Sequence, residues 1–191
     1  MIVRAISHDL AGPLGAIRNG LELLDADLRA PGDDTDGNTA HDMIDLMGQA
    51  IERATAQLAF VRLAYTATAP VTAKTLRSVI DDYVHHLPIT ITLPATLSGG
   101  EDNDIPAQRA CGLLIALKIL ARRLPRGGKV TLIDEGYHFL YTLTGNTIEG
   151  GGDRAQPDFL WLAQMGGTLI DTHQTIDPPI KKITGRFHLS D

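Results

Sequence analysis

The chain has 191 residues, 43% of them hydrophobic, and a formal net charge of −6 at pH 7. This length suits one large domain or two small ones, and the hydrophobic content excludes wholesale disorder. The negative charge disfavours nucleic-acid binding, since phosphate backbones are recognised by basic surfaces.

No segment predicts a membrane span or a secretory signal. The longest apolar run, residues 110–121, contains Lys118 and is shorter than the ~20 residues that a spanning helix needs. The first residues lack the hydrophobic stretch of a signal peptide. The one cysteine, Cys111, cannot form an internal disulfide, which is compatible with a reducing cytoplasm. We therefore expect a cytoplasmic protein that does not enter membranes.

Two consecutive segments carry apolar residues at alternating spacings of four and three, which predicts two helices with heptad stripes. In the first segment these residues are Leu10, Leu14, Ile17, Leu21, Leu24 and Leu28. In the second they are Ile44, Met47, Ile51, Ala54, Leu58, Val61 and Tyr65. Turn-forming residues fill positions 31–38 between them, so the pattern predicts an antiparallel helical hairpin.

A two-helix hairpin cannot bury both sides of its apolar stripes by itself. Pairing with a second copy would give a four-helix bundle, and symmetric dimers are the commonest oligomers. We therefore predict a homodimer. The alternative is that the rest of the same chain covers the hairpin.

One histidine, His8, stands near the start of the first helix, within residues 7–14. If Leu14 and Leu21 occupy heptad position a, His8 occupies position b, off the apolar stripe and toward solvent. It shares one stripe of the helix with Gly12, Gly15, Asn19 and Glu22. Each glycine costs a helix about 1 kcal/mol relative to alanine, and an exposed face does not require one for packing. The two glycines leave a shallow surface that another protein's backbone can approach.

The rest of the chain alternates between helical and strand patterns, which predicts helices packed on one face of a mostly antiparallel sheet. The predicted helices cover residues 73–87, 105–124 and 157–165. The predicted strands cover residues 89–93, 129–134, 138–144, 168–171 and 181–189. The fold class is therefore α+β, with a helical hairpin followed by an α/β sandwich.

Four segments resemble sensor histidine kinases. Residues 7–14, Ser-His-Asp-Leu-Ala-Gly-Pro-Leu, resemble the phosphoacceptor box S-H-[ED]-L-x-x-P-L, with Ala11 where the family usually has arginine. Residues 125–130 resemble the P-x-G-G-x-V that follows the nucleotide-binding helix of these kinases. Residues 162–169 resemble L-x-x-x-M-G-G-x-[LI], and residues 185–189 resemble the terminal G-x-x-F-x-[LF] strand.

The nucleotide-binding residues of the kinases are missing. Counted back from Gly127-Gly128, the two asparagines of their N-x-x-x-N box would stand at Ile115 and Ile119, and isoleucine offers Mg²⁺ no oxygen ligand. The D-x-G-x-G motif is absent, although residues 134–138 come near it. The glycine run 150–152 lacks a following lysine, so a flexible loop is the simpler interpretation.

A phosphoacceptor histidine in a kinase-like chain without an ATP site resembles the dimeric histidine phosphotransferase family. That family passes phosphate from hybrid kinases to cell-cycle regulators in alphaproteobacteria. The resemblance implies a dimerisation and phosphotransfer hairpin over residues 1–69 and a degenerate ATPase-like domain over residues 70–191. It implies no cofactor and no metal in this chain, with Mg²⁺ expected on the partner receiver domain.

The resemblance also assigns roles to residues of the first helix. His8 is the phosphoacceptor, and Asp9 orients the imidazole, takes its proton or is a solvated helix acid. Receiver domains of a hybrid histidine kinase and of response regulators would dock on Ala11, Gly12, Gly15, Arg18, Asn19 and Glu22. Arg18 has two interpretations, since it either pairs with receiver acids or balances Glu22 one turn away.

Two rival functions remain open at this point. One is an active histidine kinase with a divergent nucleotide site. The other is a non-enzymatic dimeric adaptor that docks receivers without transfer, for which His8 would be dispensable. A zinc site is not expected, because no two histidines stand four residues apart and there is one cysteine.

Overall fold

A computed structural model of the chain describes residues 2–29, 38–97, 103–136, 138–149, 162–163, 168–177 and 180–188. The chain forms two compact units, Met1–Ala59 and Phe60–Asp191. The division falls inside the second helix, whereas the sequence predicts a boundary at residues 69 and 70.

The first unit is built from helix α1, Ile2–Arg29, and most of helix α2, Asn38–Thr66. The helices meet closely at Gly20, where a side chain would collide with Met47. Helix α1 continues through Pro13, which is buried. The predicted hairpin is present.

The two heptad positions of the hairpin differ in burial. The d positions of the first unit are half-buried, namely Leu10, Ile17, Leu24, Met47 and Ala54. The a positions are more than half exposed, namely Leu14, Leu21, Ile44, Ile51 and Leu58. We call these five residues the exposed a row. Contact between the two helices therefore covers the d positions of each apolar stripe and leaves the a positions exposed.

The second unit contains two further helices and a five-stranded sheet within the described residues. The helices are α3, Ala73–His85, and α4, Ala107–Arg122. Two short strands, β1, Val71–Thr72, and β3, Asp104–Ile105, pair with each other. The main sheet is formed by β2, Ile89–Thr92, β4, Gly128–Asp134, β5, His138–Gly145, β6, Thr168–Asp177, and β7, Ile180–His188.

The main sheet has the order β2-β4-β5-β7-β6. Strand β2 runs parallel to β4, and the other neighbouring pairs are antiparallel. One face is buried against the helices and carries Val130, Leu132, Phe139, Leu143 and Phe187. The predicted α+β class and the mostly antiparallel sheet are confirmed.

Helix α4 and the end of α2 supply much of the core of the second unit. All residues of α4 from Ala110 to Leu120 are buried. Phe60 stacks on Tyr83 of α3 with ring centroids 4.0 Å apart. The thiol of Cys111 donates to the carbonyl of Leu63 at 3.4 Å, and burial raises the pKa of that thiol. Cys111 is therefore a buried, free cysteine of this core.

Several predicted bounds differ from the observed ones. Helix α3 ends at His85 because its cap, His86, already leaves helical geometry. Strand β6 extends to Asp177, beyond the predicted residue 171, since it pairs along the whole of β7. The predicted helix 157–165 lies outside the described residues except for Leu162 and Ala163.

Candidate functional site

Helix α1 positions the candidate phosphoacceptor. His8 lies within the continuous helix Ile2–Arg29, six residues after its first residue, and both of its neighbours are helical. The side chain of His8 is outside the described part of the structure. The backbone nevertheless fixes the helical position of His8, and Asp9, the next residue, is half-buried.

The stripe of α1 that contains position 8 is largely open to solvent. Gly12, Asn19 and Glu22 are exposed, and Gly15 is half-buried. A Cβ added at Gly12 or at Gly15 would meet no atom within 4 Å. Packing among the described residues therefore does not require glycine at either position. The two glycines leave a shallow surface on this side of α1.

The other two predicted docking residues also lie on the surface of α1. Ala11 and Arg18 are exposed. Arg18 Nε lies 3.6 Å from Glu22 Oε1, with both side chains mostly exposed. The structure thus contains the internal pair that the sequence offered as one interpretation of Arg18. Exposed pairs of this kind are weak, so the guanidinium can exchange Glu22 for another acid at little cost.

The positions that bind Mg²⁺-nucleotide in kinases are part of the hydrophobic core here. Ile115 and Ile119 are both buried in α4. Neither offers an oxygen atom to a metal ion. Within the described residues, no group of three or more histidine, cysteine or acidic side chains is arranged to hold a metal ion.

The glycine pair that resembles the kinase P-x-G-G is required by packing. Gly127 and Gly128 have φ values of +84° and +152°, which disfavour other residues. A Cβ on Gly127 would lie 2.4 Å from the carbonyl oxygen of Pro88, and one on Gly128 would lie 2.3 Å from that of Thr144. These glycines let the start of β4 pass between its neighbours, so their presence needs no phosphate ligand.

The near match to D-x-G-x-G, residues 134–138, also has a structural use. The carboxylate of Asp134 accepts hydrogen bonds from Arg109 Nη2 at 2.8 Å and from the backbone N–H of Gly136 at 2.9 Å. Gly136 adopts φ +83° in the turn between β4 and β5. This aspartate therefore stabilises a turn and ties it to α4. The glycine run 150–152 lies outside the described residues.

Sequence reasoning missed a polar cluster in which the buried Arg123 and Tyr141 meet the exposed Asp171. Arg123 follows α4 and is 3% exposed. Its Nη1 and Nη2 donate to Asp171 Oδ1 and Oδ2 at 2.7 and 2.8 Å. The hydroxyl of Tyr141 donates to Asp171 Oδ1 as well. One signal was available in the sequence, because Arg123 continues the four-residue spacing of Ile115 and Ile119 to the residue that caps α4.

The cluster shifts the ionisation of its members. Burial by itself would raise the pKa of the Asp171 carboxyl, but the hydrogen bonds from Arg123 and Tyr141 outweigh burial and lower that pKa. Burial, together with the hydrogen bond to Asp171, raises the pKa of the Tyr141 hydroxyl. At neutral pH the cluster is therefore an arginine cation, an aspartate anion and a neutral tyrosine.

Comparison with known proteins shows similarity over most of the chain. Protein phosphotransferase ChpT of Brucella abortus (strain 2308) is 27% identical over 170 residues, which cover 85% of this chain and 72% of the relative. The solved structure of a bacterial phosphotransferase has a TM-score of 0.72 and 23% identity, and the match covers 98% of this chain and 93% of that one. No protein-family model matches the chain.

The structural match shows that this chain shares the fold of that bacterial phosphotransferase. The predicted resemblance to a phosphotransferase is confirmed by the curated relative, and the solved structure adds the shared fold. Among the described residues, no helix is both long and apolar enough to cross a membrane.

Proposed function

We propose that this chain is a histidine phosphotransferase, which relays a phosphoryl group between receiver-domain aspartates through His8 and does not use ATP. The observation that carries the proposal is a contrast between the two units. The first unit presents an open helical stripe at the matched phosphoacceptor box, where a Cβ added at Gly12 or Gly15 would meet no atom of the described neighbouring residues within 4 Å. The second unit buries Ile115 and Ile119, where kinases bind their nucleotide.

The relatives support the same function and disfavour the two rivals. The curated relative is a protein phosphotransferase that matches most of this chain. An active kinase would need polar ligands at Ile115 and Ile119. An adaptor without transfer would have no need of the histidine in the phosphoacceptor box.

The proposed chemistry is a pair of displacements at phosphorus. One ring nitrogen of neutral His8 attacks an aspartyl phosphate, so that an N–P bond forms, the P–O bond of the acyl phosphate breaks and the aspartate carboxylate leaves. In the second step a carboxylate of another receiver attacks phosphorus and the N–P bond breaks. Imidazole suits this exchange because its ordinary pKa of about 6.5 leaves it largely neutral and nucleophilic at pH 7.

The remaining parts of the reaction are positioning and charge neutralisation. We assign Asp9 to orient the imidazole or to hold the proton of its second nitrogen. The receiver supplies the Mg²⁺ that neutralises the phosphoryl oxygens, so this chain needs no cofactor. Ala11, Gly12, Gly15, Arg18, Asn19 and Glu22 form the proposed docking surface for the receiver. This exchange between receivers belongs in the cytoplasm.

The exposed a row supports a homodimer as the working state. Five large apolar side chains on one side of the hairpin are more than half exposed. Because about half of each side chain is already covered, full burial by a partner would contribute about 1–1.5 kcal/mol for each. A second hairpin brings an identical row, and the two together would complete a four-helix bundle.

The proposal is tested by a phosphotransfer assay run beside a binding titration with the same receiver. We expect His8→Ala to bind the receiver and accept no phosphate. Gly15→Leu should lose binding because it fills the open surface. Gly48→Leu is the matched control, since Gly48 lies on α2, outside the proposed docking surface, and an added Cβ there also meets nothing within 4 Å. Equal binding by Gly15→Leu and Gly48→Leu would contradict the proposed docking surface.

A further inference from the structure

Three hydrogen-bond donors converge on the carboxylate of Asp171. Arg123 supplies two of them, at 2.7 and 2.8 Å, one to each oxygen. The Tyr141 hydroxyl supplies the third. The guanidinium is 3% exposed, while the Asp171 side chain is 40% exposed. The cation therefore lies beneath the surface and the anion closes its opening to solvent.

The donors are held in place by the surrounding fold. Arg123 Nε donates to the carbonyl of Glu149 at 3.1 Å, and the N–H of Glu149 donates to the carbonyl of Arg123 at 2.9 Å. Arg123 is thus fixed by a backbone hydrogen bond and by the hydrogen bond from its Nε. A donor group that is already oriented loses little entropy when it binds an anion.

The strands are also adapted to this cluster. Tyr141 reaches Asp171 across β7 at Gly185, where a Cβ would lie 2.2 Å from the tyrosine oxygen. The pairing of β6 with β7 is irregular between Asp171 and His173. Irregularities of this kind redirect a side chain. Glycine on one strand and a bulge on the next together allow the tyrosine and the aspartate to meet.

The chemistry of these donors is that of an oxyanion site. A guanidinium fork binds a carboxylate or a phosphate through two parallel hydrogen bonds, and both anions satisfy the same geometry. A hydroxyl beside the fork adds a third bond to one oxygen. Ile115 and Ile119, which precede Arg123 at four-residue spacing along the chain, supply no ligand for a metal ion. An external ligand of these donors would therefore be an oxyanion bound without a metal ion, and inorganic phosphate is the probe of that chemistry.

We propose that Asp171 is an internal ligand, which occupies a built oxyanion site and so prevents Arg123 and Tyr141 from binding phosphate. The site lies wholly within the second unit and is independent of His8. An inert structural ion pair would make the same contacts in the native chain. The two differ in what happens after the carboxylate is removed, because a built site accepts a free oxyanion and an inert pair does not.

The test uses the full chain carrying Asp171→Ala, with inorganic phosphate as the probe and chloride at equal ionic strength as the reference. Thermal unfolding of this variant should shift upward with phosphate concentration by mass action. At ten times the dissociation constant the shift should be on the order of 4 °C. The native chain should show no such excess over chloride, because its site is filled.

Two control variants separate specific binding from the general stabilising effect of phosphate. Asp171→Asn keeps a side chain of the same size with an oxygen acceptor in the site. Phosphate should therefore raise its unfolding temperature only a little more than chloride does. The double variant Arg123→Leu with Asp171→Ala lacks the cation and should respond to phosphate as the native chain does. If Asp171→Ala does not fold in chloride, its refolding yield in phosphate against chloride gives the same comparison.

An equal response of Asp171→Ala and the double variant would overturn the proposal, since phosphate would then act without Arg123. A phosphate-specific shift in the native chain would also overturn it, because Asp171 would not be keeping the site filled. Neither result bears on phosphotransfer by His8, so failure here and failure of the proposed function remain distinguishable.

Discussion

Gly20 of α1 lies directly against Met47 of α2. A methyl group on Gly20 would stand 2.6 Å from Cγ and 2.9 Å from Sδ of that methionine. The contact sets how closely the two helices approach, and it falls among the half-buried d positions of the hairpin. The exposed a row is then the part of each stripe that this approach leaves outside.

Gly20→Ala should destabilise the hairpin despite the better helix propensity of alanine. The reason is that Met47 must move or the helices must separate to admit the methyl group. Gly48→Ala is the control, because a Cβ at Gly48 meets nothing within 4 Å, and it should stabilise by up to about 1 kcal/mol. The free energy of unfolding in urea compares the two. If both substitutions stabilise equally, the close approach at Gly20 is wrong.

Leu21→Asp should split the proposed dimer, whereas Leu23→Asp should not. The two leucines are equally exposed, at 54% and 55%, but they point roughly 200° apart around α1. Only Leu21 belongs to the exposed a row. Loss of a buried leucine costs ~2–5 kcal/mol, so the dimer dissociation constant should rise at least about tenfold. Light scattering measures this, and a native mass near 20.6 kDa at micromolar concentration would contradict the dimer.

The sequence predicts the hairpin because a heptad spacing has few structural solutions, and His8 follows from the box around it. It does not predict which half of the stripe stays exposed. Residues such as Leu14 and Ile17 are equally apolar, and only the approach at Gly20 and Met47 separates them. The exposed a row is therefore a result of packing geometry.

In the second unit, too, the sequence predicts some features and not others. The spacing Ile115, Ile119 identifies the lost nucleotide positions, but the buried ion pair at Arg123 depends on contacts 48 residues apart in sequence. Pattern reasoning over short windows does not find such pairs. It also assigns Gly127 and Gly128 to a motif, while their function in this fold is to clear Pro88 and Thr144.

Calorimetry with Mg-ATP should show no heat of binding up to about millimolar ligand. The physical reason is the burial of Ile115 and Ile119 in the core. Replacing both with asparagine should not create a site, and it should cost about 1–3 kcal/mol for each amide left buried without a partner. A micromolar dissociation constant, or phosphorylation from ATP, would instead favour the kinase rival.

The ion pair between Arg123 and Asp171 should make the free energy of unfolding fall as the pH becomes acidic. The pKa of Asp171 is lowered in the folded chain, relative to about 3.9 when unfolded. The stabilisation that Asp171 adds to the folded chain is therefore complete above the pKa of the unfolded state. It is lost as the pH falls through the lower pKa of the folded state. Urea unfolding should show the native chain losing more stability than Asp171→Asn between about pH 5 and the acid limit. Parallel losses would mean that the carboxylate is not stabilised in its charged form.

The most direct test of the central claim is to load a receiver with labelled phosphate and find the residue that accepts it. We measure the rate of transfer and the site of label for the native chain, for His8→Ala and for His41→Ala, which removes an exposed histidine of α2. We predict an acid-labile phosphohistidine at His8 in the native chain and in His41→Ala, and none in His8→Ala. Transfer to His8→Ala at the native rate would contradict this prediction.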